Sequence, residues 1–380
     1  MSRPGLAKSP HPCLRKLDSP SDLAPSDMAP RATAMRRPPN PASAVLLSIS
    51  IGTLTLASLA PQALAQRGGF FGSSRSDPEL KHLSYASKTF ESEALGRQAR
   101  YSIYLPKDYD AEANKDTRYP VIYYLHGMNE DHARFHARGG APILDQAVDE
   151  GVLPKLIFVC ADDQTRSSFY INGRIRMEDM ILKDLIPHIE KTYRARTDRA
   201  HRALLGVSMG GFGALKIAFK NPQVFGVVAT HSAAILPEEY KDLASEFPWA
   251  AGRNARSVTM IFGDPVDEDL WRSENPLTLA RKLTRDKLDG LRIHFDCGDQ
   301  DRYGFQVPNQ ELHEVLEDLE IPHSWALVPG GTHGWNTRRS AEGYNQSALP
   351  KSLTIIGKTF ASPEKKRPGP GEELKMVKRF

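Results

Sequence analysis

The chain has 380 residues, of which 40% are hydrophobic and 25% charged, a composition within the range of soluble globular proteins. A formal charge of +4 is small for this length, and no long basic stripe with interleaved aromatics is present, which argues against a nucleic-acid partner. Three cysteines are too few for a disulfide framework. Residues 1–43 are rich in Pro, Ser, Ala and Arg and nearly lack large apolar side chains, so they cannot bury enough surface to offset their ordering entropy. An uncharged, mostly apolar run follows from Ala44 to Ala60, with Arg36 and Arg37 ahead of it and Ala63-Leu64-Ala65 behind. That is the layout of a secretory signal peptide; the run is short for a membrane span and contains several Ser and Thr. Met35 is a natural start, so residues 1–34 are read as an extension and 35–65 as a signal peptide cleaved after Ala65. The expected destination is secreted or periplasmic, with no stable membrane span after cleavage.

Beyond a Gly-rich flexible leader (66–84), strand-like and helix-like segments alternate. Tyr101 to Leu105 alternates like a strand, and Val121 to Leu125 and Leu156 to Cys160 are continuous apolar runs expected of strands buried on both faces. Ala141 to Val148 has helical spacing, and Glu178 to Tyr193 reads as a longer helix with Met180, Ile181, Leu185, Ile186 and Ile189 on one face. Ala203 to Val207 is a strand leading into a helix from Gly210 to Lys220. Val224 to Thr230, Leu291 to Phe295 and Ser324 to Val328 complete the strands. Such alternation predicts an α/β fold, a mostly parallel central sheet with helices on both faces, within one domain at 85–360. Residues 234–289 form a long excursion, expected to hold a small cap and a helix from Asn275-Pro276 to Leu283, while 361–380 reads as a disordered basic tail.

Chemistry concentrates at strand ends. Gly206-Val207-Ser208-Met209-Gly210 matches G-x-S-x-G between a strand and a helix, the setting of a nucleophile elbow. A serine hydroxyl needs a base and the base an orienting acid. Two downstream loops supply them: Asp296-Cys297-Gly298-Asp299-Gln300-Asp301 follows one strand, and Pro329-Gly330-Gly331-Thr332-His333-Gly334-Trp335 follows the next. His333 is the candidate base; among the acids, position alone leaves Asp296, Asp299 and Asp301 open. An oxyanion hole needs two backbone amides, and the candidates are Met209, after the nucleophile, and Met128, in the loop after Tyr123-Tyr124-Leu125-His126-Gly127. His126 is expected to shape that loop.

Six motifs occur in order: Tyr104-Leu105-Pro106-x-x-Tyr109, Tyr124-Leu125-His126-Gly127, Gly206 through Leu215, Asn275-Pro276-Leu277, Gly298-x-x-Asp301 and Pro329-Gly330-Gly331-x-His333. Together they resemble the esterase D family of α/β-hydrolases, which includes S-formylglutathione hydrolases, feruloyl and acetyl-xylan esterases and mycolyltransferases. The resemblance covers about residues 85–360 and implies an α/β-hydrolase catalytic domain without a cofactor. It assigns the acid to Asp301, in the Gly-x-x-Asp motif, and the oxyanion donors to Met128 and Met209.

Further candidates carry less chemistry. His132 and His136, beside Glu130 and Asp131, have the i, i+4 spacing of metal ligands, but no third ligand is evident and no metal is expected. His132 is read instead as a polar wall of the substrate pocket, joined by Tyr170 and Trp335; Phe169, Phe212 and Trp271 read as core. Cys160 and Cys297 lie on strands that are not neighbours in the usual order of this fold, so two buried free thiols are expected. The functional expectation is an exported serine esterase acting on carboxylic esters, small or polysaccharide-linked, with feruloyl or acetyl esters foremost. The alternatives are an acyltransferase with the same triad, an S-formylglutathione hydrolase-like thioesterase, and a non-catalytic binding protein on a hydrolase scaffold.

Overall fold

A computed structural model describes residues 79–162, 165, 167–252, 255–335 and 344–361, all within the unit Ser73–Phe380. The extension, the signal-like segment and the basic tail lie outside the described residues. Among the described residues, no helix is long and apolar enough to cross a membrane.

Eight strands form one sheet: β1 (Leu83–Ser92), β2 (Arg97–Pro106), β3 (Val121–Leu125), β4 (Ile157–Ala161), β5 (Arg202–Val207), β6 (Val227–His231), β7 (Arg292–Gly298) and β8 (Ser324–Val328). Their order is β1-β2-β4-β3-β5-β6-β7-β8, antiparallel through β1, β2 and β4 and parallel from β4 to β8. The sheet is the expected α/β-hydrolase type. All residues of β3, β4, β5 and β6 are buried, which explains why those strands read as unbroken apolar runs. Helices cover both faces, and the sheet separates two apolar clusters, one containing Val121, Tyr123, Phe212 and Leu215, the other Ile122, Tyr124, Phe135 and Trp335. Cys160 on β4 and Cys297 on β7 are buried and free, with three strands between theirs.

The longer helices are α1 (Gly140–Asp149), α2, a continuous helix built of Met177–Asp179, Met180–Leu185 and Ile186–Thr192, α3 (Met209–Lys220), α4 (Ala255–Phe262), α5 (Glu268–Glu274), α6 (Gln306–Asp318) and α7 (Tyr344–Phe360). In α2 the stretch Met180–Leu185 is wound as a π-helix. Pro187 explains it: without an N–H, and with its ring crowding the preceding turn, it leaves that turn to widen. The excursion 234–289 holds several short helices rather than one, including Pro276–Ala280 capped by the Asn275 side chain, which accepts from the Leu277 amide.

Two boundaries differ from expectation. Residues 79–84 are not leader: the Asp145 carboxylate accepts from the consecutive amides of Lys81, His82 and Leu83 at 2.7–2.9 Å, and Leu80 and Leu83 are buried. And β7 runs three residues past Phe295, carrying Asp296 inside the sheet.

Candidate active site

The C-terminal ends of β3, β5, β6, β7 and β8 converge, and strand order reverses beside β3, where ligand crevices of open α/β sheets form. Ser208 sits between β5 and α3 with φ 56° and ψ −120°, a conformation that costs a non-glycine residue strain and turns its side chain out of the sheet. Three backbone bonds hold it there: its amide donates to His231 O at 3.0 Å, and its carbonyl accepts from Phe212 N at 3.0 Å and Ala234 N at 2.9 Å. Close packing demands glycine nearby, since a Cβ on Gly210 would lie 2.0 Å from Leu125 O. The loop after β3 adjoins the elbow; a Cβ at Gly127 would stand 3.5 Å from Ser208 Cβ. Among the described residues neither the Met128 nor the Met209 amide is taken up by another acceptor, and Met209, as the first residue of α3, has no intrahelical partner.

His333 Nδ1 lies 2.8 Å from Asp301 Oδ2, with the aspartate side chain fully buried and the imidazole 12% exposed. Burial pushes the Asp301 carboxyl up, but the hydrogen bond and charge of His333, the Tyr303 amide and the Ser232 hydroxyl outweigh it and hold the group below its ordinary value. Asp301 is therefore an anion that fixes the ring, leaving Nε2 as the nitrogen free for proton transfer. Ser208 Oγ and His333 Nε2 are not hydrogen-bonded to each other among the described residues; such links often tighten only with substrate in place. The two loops are locked together: Asp299 N donates to Val328 O and Gln300 N to Gly331 O, and a Cβ on Gly298 would lie 2.2 Å from the Gly331 carbonyl.

The other aspartates are placed elsewhere. Asp299 is exposed. Asp296 is buried on β7, with both oxygens 3.0 Å from His231 Nδ1 and Oδ2 3.4 Å from His294 Nε2. Burial opposes the Asp296 charge, yet the two imidazoles hold its carboxyl well below the usual carboxylate range.

Two supporting residues escaped the sequence reading. Ser232, at φ 45° just past β6, accepts the Gly334 amide at 3.1 Å and the Cys297 thiol at 3.7 Å, and its hydroxyl helps to hold the Asp301 carboxyl below its ordinary value. Glu130, read before as a metal neighbour, accepts the Gly127 amide at 3.0 Å and pairs with Arg138, which braces the loop carrying Met128. A serine after a strand and a glutamate in a loop have no distinctive spacing, so only the folded geometry reveals them.

The expected pocket residues are moved inward. Trp335 is fully buried against Phe135, ring centroids 5.3 Å apart, and Tyr170 is fully buried with its hydroxyl donating to His126 O at 3.3 Å. Neither presents surface to a ligand: Trp335 was drawn toward the site by its adjacency to His333 and Tyr170 by its aromatic character, and both are core. His132 Nδ1 meets Ser102 Oγ at 2.7 Å and His136 Nδ1 meets the Tyr104 phenolic hydroxyl at 3.0 Å, so the two rings are held by hydroxyls of different β2 residues. The wall beside His333 is aromatic instead: Tyr303 meets the imidazole edge-on at 4.6 Å and Phe305 at 5.7 Å, with Trp249 and Phe247 behind them.

The sequence model of a family described as "Putative esterase" matches residues 92–341. The chain belongs to this esterase family. Among its curated relatives, an endo-1,4-beta-xylanase/feruloyl esterase of Xylanibacter ruminicola is 32% identical over 220 residues, 56% of this chain and 29% of the relative. Esterase Rv1288 of Mycobacterium tuberculosis is 27% identical over 267 residues, 64% of this chain and 54% of the relative. The chain thus spans about half or less of the length of these relatives. Among solved structures, a ferulic acid esterase superposes with a TM-score of 0.59 at 25% identity, covering 73% of this chain and 99% of its own. An S-formylglutathione hydrolase from Agrobacterium tumefaciens superposes at 0.57 with 19% identity, covering 75% of this chain and 98% of its own, a likeness of fold alone.

Proposed function

We propose that this esterase-family chain is an exported carboxylic ester hydrolase working through Ser208, His333 and Asp301. The observation that carries the reading is the buried Asp301–His333 hydrogen bond set beside a strained serine elbow. His333 Nε2 takes the Ser208 proton as Oγ attacks the ester carbonyl, and Asp301 stabilises the imidazolium. The Met128 and Met209 amides receive the oxyanion, aided by the N-terminus of α3. The imidazolium then protonates the departing alcohol. Water, deprotonated by the same ring, attacks the acyl-enzyme and releases the acid and Ser208.

Aryl-substituted acyl esters on polysaccharide, feruloyl esters foremost, are the proposed substrates. The support is the aromatic wall of Tyr303 and Phe305 beside His333, together with relatives named for feruloyl ester hydrolysis. Export rests on the signal-like segment 35–65, and the proposed mature enzyme runs from Gln66 with its catalytic domain ending near residue 360.

The test is hydrolysis of p-nitrophenyl acetate and of methyl ferulate by the chain starting at Gln66, beside Ser208→Ala. Wild-type turnover with a loss of about 10³-fold or more in the mutant is expected. Equal rates in the two proteins would refute Ser208 as nucleophile.

A further inference from the structure

A second group of chemistry-bearing side chains lies at the far end of α6, on the element between Asp301 and His333. His313 and Glu317 stand one helical turn apart on α6, so their side chains share a face. After Asp318 the chain reverses: Glu320 takes φ 53°, its amide donates to Glu317 O at 2.9 Å, and the Ile321 amide donates to Leu316 O at 2.9 Å. This turn brings His323, just ahead of β8, back against the same helical face. His313 Nδ1 and His323 Nε2 are 2.8 Å apart, and Glu317 Oε1 is 3.8 Å from His323 Nε2. One ligand atom from each of the three residues falls within 4.8 Å of the others.

The rings are already oriented. His323 Nδ1 donates to Ile321 O at 2.8 Å; because a carbonyl can only accept, Nδ1 holds the hydrogen and the Nε2 lone pair accepts from His313 Nδ1, which becomes a ligand once its hydrogen moves to the other ring nitrogen. Stacking on Phe295, centroids 5.7 Å apart and 15° from parallel, fixes the His323 plane, and Trp325 stacks on His313 while its indole donates to Gln310 Oε1.

We propose that His313, Glu317 and His323 bind one divalent transition-metal ion, zinc foremost, which staples the end of α6 to the start of β8. Two imidazoles and a carboxylate are a zinc-type donor set. Ligand atoms about 2.0–2.1 Å from a tetrahedral ion stand about 3.3 Å from one another, between the 2.8 Å and 3.8 Å found here. The exposed Glu317 side chain has the freedom to close the remaining distance. The fourth position opens to solvent on the Glu317 side. Both elements lead to reacting groups, α6 from the Asp301 loop and β8 into the His333 loop, so the ion acts as a structural clamp rather than in the chemistry. The site does not depend on the proposed esterase activity.

Full-length chain stripped with EDTA and dialysed would be titrated with zinc chloride by calorimetry, with bound zinc counted by mass spectrometry after desalting. One ion per chain is expected, with a rise in the thermal midpoint. His313→Gln should remove the site, and Glu317→Gln should weaken it by about tenfold or more. Glu317 is exposed, so its variant reports on binding even if a histidine variant folds poorly. No uptake by the wild type, or uptake unchanged in Glu317→Gln and His313→Gln, would overturn the proposal.

Discussion

Asp301 and Asp299 differ by two positions in sequence and entirely in environment. Only Asp301 is buried and bonded to His333, so Asp301→Asn should lower kcat by about 10³–10⁴-fold on p-nitrophenyl esters. Asp299→Asn, an exposed change, should stay within about twofold. Comparable losses from both would sink the assignment. Ser232 would act one step removed from the proposed chemistry, through its bond to the loop that carries His333 and its effect on the Asp301 carboxyl. Ser232→Ala should therefore lower kcat about tenfold while leaving KM nearly unchanged, and Ser232→Thr should recover part of the loss. A rise in KM at constant kcat would show that Ser232 shapes the pocket instead. As candidates, Ser208 and His333 were legible in the sequence because each lies in a glycine-rich strand-end motif, whereas Asp301 was singled out from Asp296 and Asp299 only by the family resemblance. Ser232 was illegible because its partner lies 102 residues away and only folding brings it into hydrogen-bond range, and Glu130 because a glutamate in a loop, bonded three residues back, has no distinctive pattern. Trp335 misled for the reverse reason: adjacency to the base says nothing of direction, and after Gly334 at φ 83° the indole points into the core.

Helix α3, which starts at the elbow, is anchored by charge as well as by apolar packing. Lys216, fully buried, bonds Glu178 on α2 at 2.5 Å and Glu274 on α5 at 2.6 Å, and Lys220 bonds the same two carboxylates at 2.8 Å. Removing one partner of a buried ionic cluster leaves uncompensated charge, so Lys216→Met should cost about 3–5 kcal/mol in urea unfolding at pH 7. Burial alone would raise the Glu178 carboxyl, but the two lysines hold it below its ordinary 4.5. A carboxyl depressed in the folded state contributes stability above the unfolded value and loses it as pH falls through the folded one. The gap between wild type and Lys216→Met should therefore narrow below about pH 4.5; a gap constant from pH 7 to 3.5 would dissociate the cluster from stability. At this scale, buried parallel strands were legible as apolar runs, whereas β1 was not. Its Ala86, Ser87, Lys88 and Thr89 face water or half-buried surroundings, and it is held chiefly by ladder bonds to β2 and by Asp145. The π-wound turn of α2 was equally hidden, because a 3.6-residue apolar period survives around one widened turn.

The last described helix is an integral part of the folded unit. Leu349, Leu353, Ile356 and Phe360 of α7 are all buried, in the same apolar cluster as Leu144 of α1 and Val227 of β6. Contact is close enough that a Cβ on Gly357 would lie 2.0 Å from Val152 O. Each of these four side chains is worth about 1.5–3 kcal/mol on burial, so together they match the whole stability of an ordinary domain, about 5–15 kcal/mol. A chain from Gln66 stopped at Gly343 should therefore fail to fold cooperatively. Stopped at Ala361, after α7 and before the Lys- and Pro-rich segment, it should unfold at the same temperature as the chain ending at Phe380 and hydrolyse p-nitrophenyl acetate at the same rate. Thermal unfolding followed by circular dichroism on the three proteins separates the cases. A midpoint several degrees lower for the chain ending at Ala361 would mean that the basic segment packs on the domain, and the boundary read from composition would move outward.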